Sequence, residues 1–367
     1  MQQIQQDYAA LTTLRAVGAL CVVQHHAWIF VAPAWPSSWI VWGFQEWPDY
    51  FFILSGFILM HVYGKTLLQA NSRTVGNYLV HRIARVYPLH LFMLLTLIAI
   101  ETTLWAWSHL PQSPLAGEHF FTGTNNLKAV PTNLLLVQAW GLHHGNSWNV
   151  PAWSVSAEFA CYLLFPLMVR YRWAELPRRA LLLCAFSAAG LLWIQFTQPD
   201  FHVTYNFSVL RAFCSFSLGC VLYHHRARML SWVSWVPPIV LQVAAVAAIL
   251  WAWAVGVPGA VYVPLWFALI IALTCEGTWL ARGLAWKPFV WLGDRSYSLY
   301  MVHALVLLPL GLWRRLAPES YNGFIAMPPV LLLMLILLAV IGLSAITYQA
   351  IENTGRRYIR EKFTIRA

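Results

Sequence analysis

The chain has 367 residues, 60% of them apolar and only 10% charged, and its mean hydropathy is positive. These proportions exclude an ordinary soluble domain and describe a helical protein that crosses a lipid bilayer many times. The formal charge of +10 does not point to nucleic acid, because the basic residues collect in short polar connections and in the stretch from Arg356-Arg357 to Arg366, the pattern of cytoplasmic anchoring.

The first apolar stretch runs from Leu14 to Phe30, and nine further spans follow at about 48–64, 86–107, 152–169, 180–197, 206–223, 232–254, 262–280, 292–312 and 328–350. The N-terminus lacks a basic n-region, so no cleaved leader is expected. The segment 127–140 is apolar but short and contains Pro131, which favours an interfacial or re-entrant helix over a span. Charge asymmetry supports that count. With ten spans and both termini cytoplasmic, Lys65, Arg73, Arg82, Arg85, Arg170–Arg179, Arg226, Arg228, Arg282, Lys287 and Arg295 fall inside, and only Lys128, Arg314 and Arg315 face outward. The expected architecture is therefore all-α and polytopic, with 1–367 forming a single membrane-embedded domain. Tryptophans near the ends of runs (Trp35, Trp39, Trp105, Trp107, Trp232, Trp235) fit interfacial belts, and the six cysteines, without paired spacing, read as small buried hydrophobes.

Ionisable side chains at membrane depth mark function by default. In the first span, the eleven steps from Arg15 to His26 carry the imidazole roughly 16 Å along a helix, about half the hydrocarbon core. Arg82 and Arg85, three apart beside Tyr87-Pro88, share a helical face at the start of the third span. Arg15, Arg82 and Arg85 read either as positive-inside anchors or as a site for a cytoplasmic diphosphate such as coenzyme A, which guanidinium groups bind bidentately. His25 and His26 point about 100° apart and do not chelate one ion comfortably, so no metal is expected; one of them suits a general base. Glu158, descending in the fourth span, reaches a similar depth. It reads either as the group that orients the imidazole or as a buried acid bonded to Trp or Ser neighbours. Asp49 lies at the expected outer end of the second span, followed by Ser55-Gly56, which read as a packing pair. Arg211 is the one basic residue that topology does not explain, with Glu158 or Asp49 as its expected partner. His303 falls about mid-span, either as a satisfied core histidine or as part of a site. Asn149 and Trp153 stand at the mouth of the fourth span, on the expected acceptor path with Asp49.

These residues resemble the acyltransferase-3 family of integral membrane O-acyltransferases. The resemblance rests on Leu14-Arg15 followed by ten residues and His26, on Asp49 through Phe57, and on Arg82-x-x-Arg85 leading to Tyr87-Pro88. It extends through Trp153-Ser154-x-Ser156-x-Glu158 and Gly293-Asp294-x-Ser296-Tyr297-Ser298-Leu299-Tyr300-x-x-His303. It implies transfer of an acyl group, commonly acetyl from acetyl-CoA, to a hydroxyl of a carbohydrate or glycoconjugate in a bacterial cytoplasmic membrane. It also implies that His26 is the essential histidine and that the arginine pair serves the donor. Two positions depart from the family pattern: Thr12-Thr13 stand where Asp-Gly is common, and Phe159 where a second acid often follows Glu158. The expected mechanism has acyl-CoA on Arg15, Arg82 and Arg85, His26 as base, Glu158 orienting it, and Asp49, Asn149, Trp153, Arg211 and His303 around the acceptor. The competing expectation is a carrier or flippase for a glycolipid or polyanion; the absence of a visible internal repeat speaks against it. A structural subunit of an envelope assembly is a third.

Overall fold

The computed structural model describes residues 8–31 and 44–365; the belt positions Trp35 and Trp39 and the last basic residue, Arg366, lie outside them. Among the described residues every regular element is helical. In chain order they are α1 (Ala9–Val31), α2 (Trp47–Leu68), α3 (Ser72–Ser108), the short α4 (Val130–Leu134), α5 (Trp153–Arg170), α6 (Pro177–Thr197), α7 (Ser208–Trp232) and α8 (Pro238–Val255). Then come α9 (Tyr262–Leu273), α10 (Trp279–Leu284), α11 (Lys287–Asp294), α12 (Ser296–Leu316), α13 (Pro318–Ile325), α14 (Pro329–Thr347), a π-helical turn (Tyr348–Asn353) and α15 (Thr354–Phe363).

Among the described residues, eight helices are long and apolar enough to cross a bilayer. The sixth and eighth expected spans are filled by α7, which carries Arg211 and Arg226, and by α9, which has only 12 residues. The segment at 127–140 forms nothing longer than the five-residue α4, too short to span.

Of the boundaries that differ from the sequence expectation, three bear on the site, each for a local reason. The third span begins at Ser72, not near 86, making a 37-residue helix about 55 Å long. Its polar first turns are held by Asn71, whose side chain accepts the Thr74 N–H at 2.9 Å, a capping signal that hydropathy does not register. The ninth span breaks at Arg295 into α11 and α12. The tenth does not end near 350: the chain passes through the π-helical turn into α15, so the expected basic tail is largely a packed helix. Gly355 allows this approach, since a Cβ there would lie 2.5 Å from the Pro88 ring.

The tightest helix pair is α2 with α7. A Cβ on Gly56 would meet the Phe216 carbonyl oxygen at 2.0 Å, and one on Gly219 the Ile53 oxygen at 1.9 Å. Small residues let the two backbones meet directly, as membrane helices do where apolar lipid offers no hydrophobic drive for association. The first helix antiparallels α2, Gly18 facing Trp47 and Tyr8 stacking edge-on against Phe57 and His61.

Candidate active site

Two helices, α1 and α12, each carry a member of two polar clusters. The first cluster is an imidazole pair. His303 Nε2 lies 3.1 Å from His26 Nδ1, and the rings stack at 5.0 Å between centroids and 13° between planes. His303 is buried, and its Nδ1 lies 2.7 Å from the carbonyl oxygen of Tyr300. A carbonyl only accepts, so His303 carries its proton on Nδ1, and in the neutral ring Nε2 is a lone pair. That lone pair accepts from His26, whose proton therefore sits on Nδ1 and whose Nε2 is left as a free base. The carbonyl of Val22, one turn back on α1, also draws a hydrogen bond from the His26 ring.

The second cluster surrounds Glu352, which sits in the π-helical turn with its side chain fully buried. It receives Arg85 and Arg356 as ion pairs and Ser298 Oγ at 2.6 Å. Arg15 lies in electrostatic reach of Arg85, Asp294 and Glu352. Arg82 donates to Tyr63 Oη at 3.1 Å, its guanidinium stands over the rings of Tyr63 and Tyr162, and its buried Nε has no hydrogen-bond partner among the described residues. Arg15, Arg85 and Arg356 thus gather around two carboxylates (Asp294, Glu352), with Arg82 one turn earlier on α3 among the phenols of Tyr63 and Tyr162, leaving an excess of positive charge suited to an anion. Tyr297 bridges this cluster to α3: its hydroxyl donates to the Val86 carbonyl at 2.7 Å and its ring lies under Arg85.

Glu352 and Arg356 were missed from the sequence, since one lay past the expected end of the tenth span and the other was counted with a solvated tail. A lone acid four residues before an arginine at a span end was the available signal. The π-helical turn around Glu352 is itself a feature that concentrates at functional sites.

Glu158 does not stand beside His26. Ser154 Oγ meets the Tyr300 hydroxyl at 2.9 Å, and from that level α12 rises three residues to His303 while α5 descends four to Glu158. The carboxylate and the imidazole pair are thus separated by about 10 Å of helix rise. Glu158 instead neighbours Tyr162, whose hydroxyl also meets Ser55 and lies in electrostatic reach of Arg82. Asp49 and Arg211 are turned on each other: Arg211 Nη2 and Nε reach Asp49 Oδ2 at 2.6 and 3.1 Å, Ser215 adds a bond at 2.8 Å, and neither side chain is exposed. They clamp α2 to α7, and Asp49 is the one of the two expected carboxylates that partners Arg211. Trp153 packs over Arg211, and Asn149 donates to the Met301 carbonyl at 3.2 Å, well around α12 from His303. Beside the clamp, His202 places Nδ1 2.6 Å from Asp200 and Nε2 2.8 Å from Glu46. Burial alone would lower this imidazole, but its bonds to Asp200 and Glu46 outweigh it and hold the group up at about 9. Among the described residues no cluster of three or more His, Cys, Asp or Glu could hold a metal ion.

Residues 8–349 match the family described as an acyltransferase domain, and the chain belongs to this acyltransferase-3 family. It is similar to acyltransferase MdmB of Streptomyces mycarofaciens, at 29% identity over 70% of this chain and 66% of that protein. It is also similar to protein 2 in the picA locus of Rhizobium radiobacter, at 30% identity over 52% of this chain and 96% of that protein. A third relative is the peptidoglycan O-acetyltransferase OatA of Listeria monocytogenes, at 23% identity over 79% of this chain. The chain spans just under two-thirds of the Streptomyces protein and about half of the Listeria protein. No solved structure matches it. Fold and family together make this a multi-pass helical membrane protein of the acyltransferase-3 family.

Proposed function

We propose that the protein moves an acyl group, acetyl in the simplest case, from cytoplasmic acyl-CoA to a hydroxyl of a carbohydrate or glycoconjugate reaching it from the other side of the membrane. The observation that carries this reading is the hydrogen bond from His26 to His303, which leaves His26 Nε2 as the proton acceptor. His26 takes the proton of the acceptor hydroxyl as that oxygen attacks the thioester carbonyl. The tetrahedral intermediate then collapses, the C–S bond breaks, and the imidazolium returns the proton to the departing thiolate. A thioester is already activated, so positioning and charge stabilisation do most of the work.

The donor's phosphates lie on the guanidinium cluster of Arg15, Arg82 and Arg85, with Glu352 and Arg356 holding Arg85 in place. The orienting role falls to His303, and Glu158 serves the phenol-lined face near Arg82. The basic face is cytoplasmic on the positive-inside rule, and the cytoplasmic membrane of a bacterium is the expected location. The relative described as a peptidoglycan O-acetyltransferase supports a carbohydrate acceptor.

The test is acyl transfer by the purified protein in lipid nanodiscs, from radiolabelled acetyl-CoA to a panel of envelope sugars. Labelled acceptor that disappears in His26→Ala supports the reading. Movement of an unmodified glycolipid that survives His26→Ala supports the carrier instead.

A further inference from the structure

Outside the guanidinium cluster, a cavity of about 390 Å³ lies between the end of α2, the first turns of α3 and the end of α15. That volume is in the range of small-molecule sites. None of its lining residues is acidic, while Arg73 and His81 are basic, and Arg360 and Arg82 lie in electrostatic reach of His81. Tyr63 forms the wall shared with the site above: on its far side it accepts from Arg82 at 3.1 Å, and its hydroxyl lies 3.3 Å from His81 Nδ1.

The polar groups of this cavity already hold an oxygen. Arg73 Nη2 and Asn77 Nδ2 converge on the carbonyl of Ile365 at 3.3 and 3.1 Å, and Asn77 Oδ1 accepts the Ile365 N–H at 2.9 Å. Asn77 therefore presents a paired donor and acceptor, the edge that complements the amino group and ring nitrogen of adenine. A guanidinium beside it suits a phosphate, and Tyr63, only part-buried, supplies an aromatic wall for a base. Ile365, whose backbone now fills these bonds, is itself exposed, so a ligand can displace it.

Distance supplies the second argument. From Asn77 it is nine residues along α3 to Val86, level with Tyr297, and six more along α12 to His303. The helices run parallel, since Leu94 and Leu97 pack against Leu305 and Leu308. The cavity thus lies on the order of 22 Å from the imidazole pair, a separation that suits a donor whose diphosphate lies between them on the guanidinium cluster and whose phosphorylated adenosine and acyl group stand at opposite ends of a long arm. We infer that this cavity takes the phosphorylated adenosine end of the donor, an inference that rests on the acyl-CoA reading above.

The full-length protein in neutral-lipid nanodiscs is titrated with adenosine 3′,5′-bisphosphate by calorimetry. Arg73→Ala and Asn77→Asp are each expected to weaken binding by about tenfold or more. Photolabelling of the unaltered protein with the 8-azido derivative is expected to mark the peptide 63–81, a readout that does not depend on a variant folding. Wild-type affinity in both variants, or label confined elsewhere, overturns the subsite. So does equal competition by inorganic phosphate, which reduces the cavity to an anion site. If the nucleotide does not bind while acetyl-CoA still acylates an acceptor, the subsite falls and the proposed function stands. If neither occurs, both fall.

Discussion

His26 and His303, 277 residues apart in the chain, form a hydrogen-bonded and stacked pair in which the Tyr300 carbonyl dictates where the protons sit. In the proposed mechanism the second imidazole takes the place that a buried carboxylate holds in hydrolytic triads. Replacing His303 with Phe keeps a buried ring but removes the acceptor for His26 Nδ1–H. The expected result is a fall in kcat of about 10²–10⁴ with KM for acyl-CoA little changed. Steady-state kinetics separate this from a packing defect, which would lower the amount of folded enzyme and leave kcat per folded molecule intact.

The buried Glu352 carboxylate bridges two guanidiniums, one negative charge shared between two positive ones. Glu352→Gln removes the carboxylate that Arg85 and Arg356 share, and a loss of about 3–5 kcal/mol is expected. Thermal unfolding in detergent would report it, and the double variant Arg85→Met/Glu352→Gln should lose less than the sum of the singles if the pair is coupled.

The His202 bridge makes a pH prediction. Its folded value near 9 lies above the ordinary histidine value of 6.5, so the charged form binds Glu46 and Asp200 more strongly in the folded protein. Its contribution to stability is complete below about 6.5 and fades as pH rises through about 9. Asp200, held down to about 2 first of all by its hydrogen bond to His202, behaves oppositely and loses its contribution only in strong acid. Melting temperature measured from pH 6 to 10 should therefore decline more steeply in the unaltered protein than in His202→Gln. Parallel curves would refute the bridge.

Close backbone approach between α2 and α7 leaves no room for a methyl group. Gly219→Ala would set a Cβ 1.9 Å from the Ile53 carbonyl and is expected to cost about 1–3 kcal/mol. Gly323→Ala, where nothing lies within 4 Å, serves as the comparison and should leave the melting temperature unchanged or slightly raised.

Much of this protein was legible in one dimension. Apolar runs of spanning length, interrupted by basic connections, dictate a polytopic helical membrane protein, because unpaired backbone polar groups are intolerable in lipid. Motif order identified the family, and the cost of an imidazole or guanidinium at membrane depth singled out Arg15, His26, Arg82 and Arg85. What a linear reading could not supply was the offset between one helix and the next. Rise per residue gives depth along a single helix, and on that basis Glu158 looked level with His26; the contact of Ser154 with Tyr300 sets α5 deeper and makes His303 the neighbour. Likewise a polar helix start at Ser72 and a buried acid beyond the last apolar residue carry no hydropathy signal. Their positions follow from capping by Asn71, from the room left by Gly355 against Pro88, and from the pull of Arg85 and Arg356 on Glu352, all of which exist only once the helices have packed.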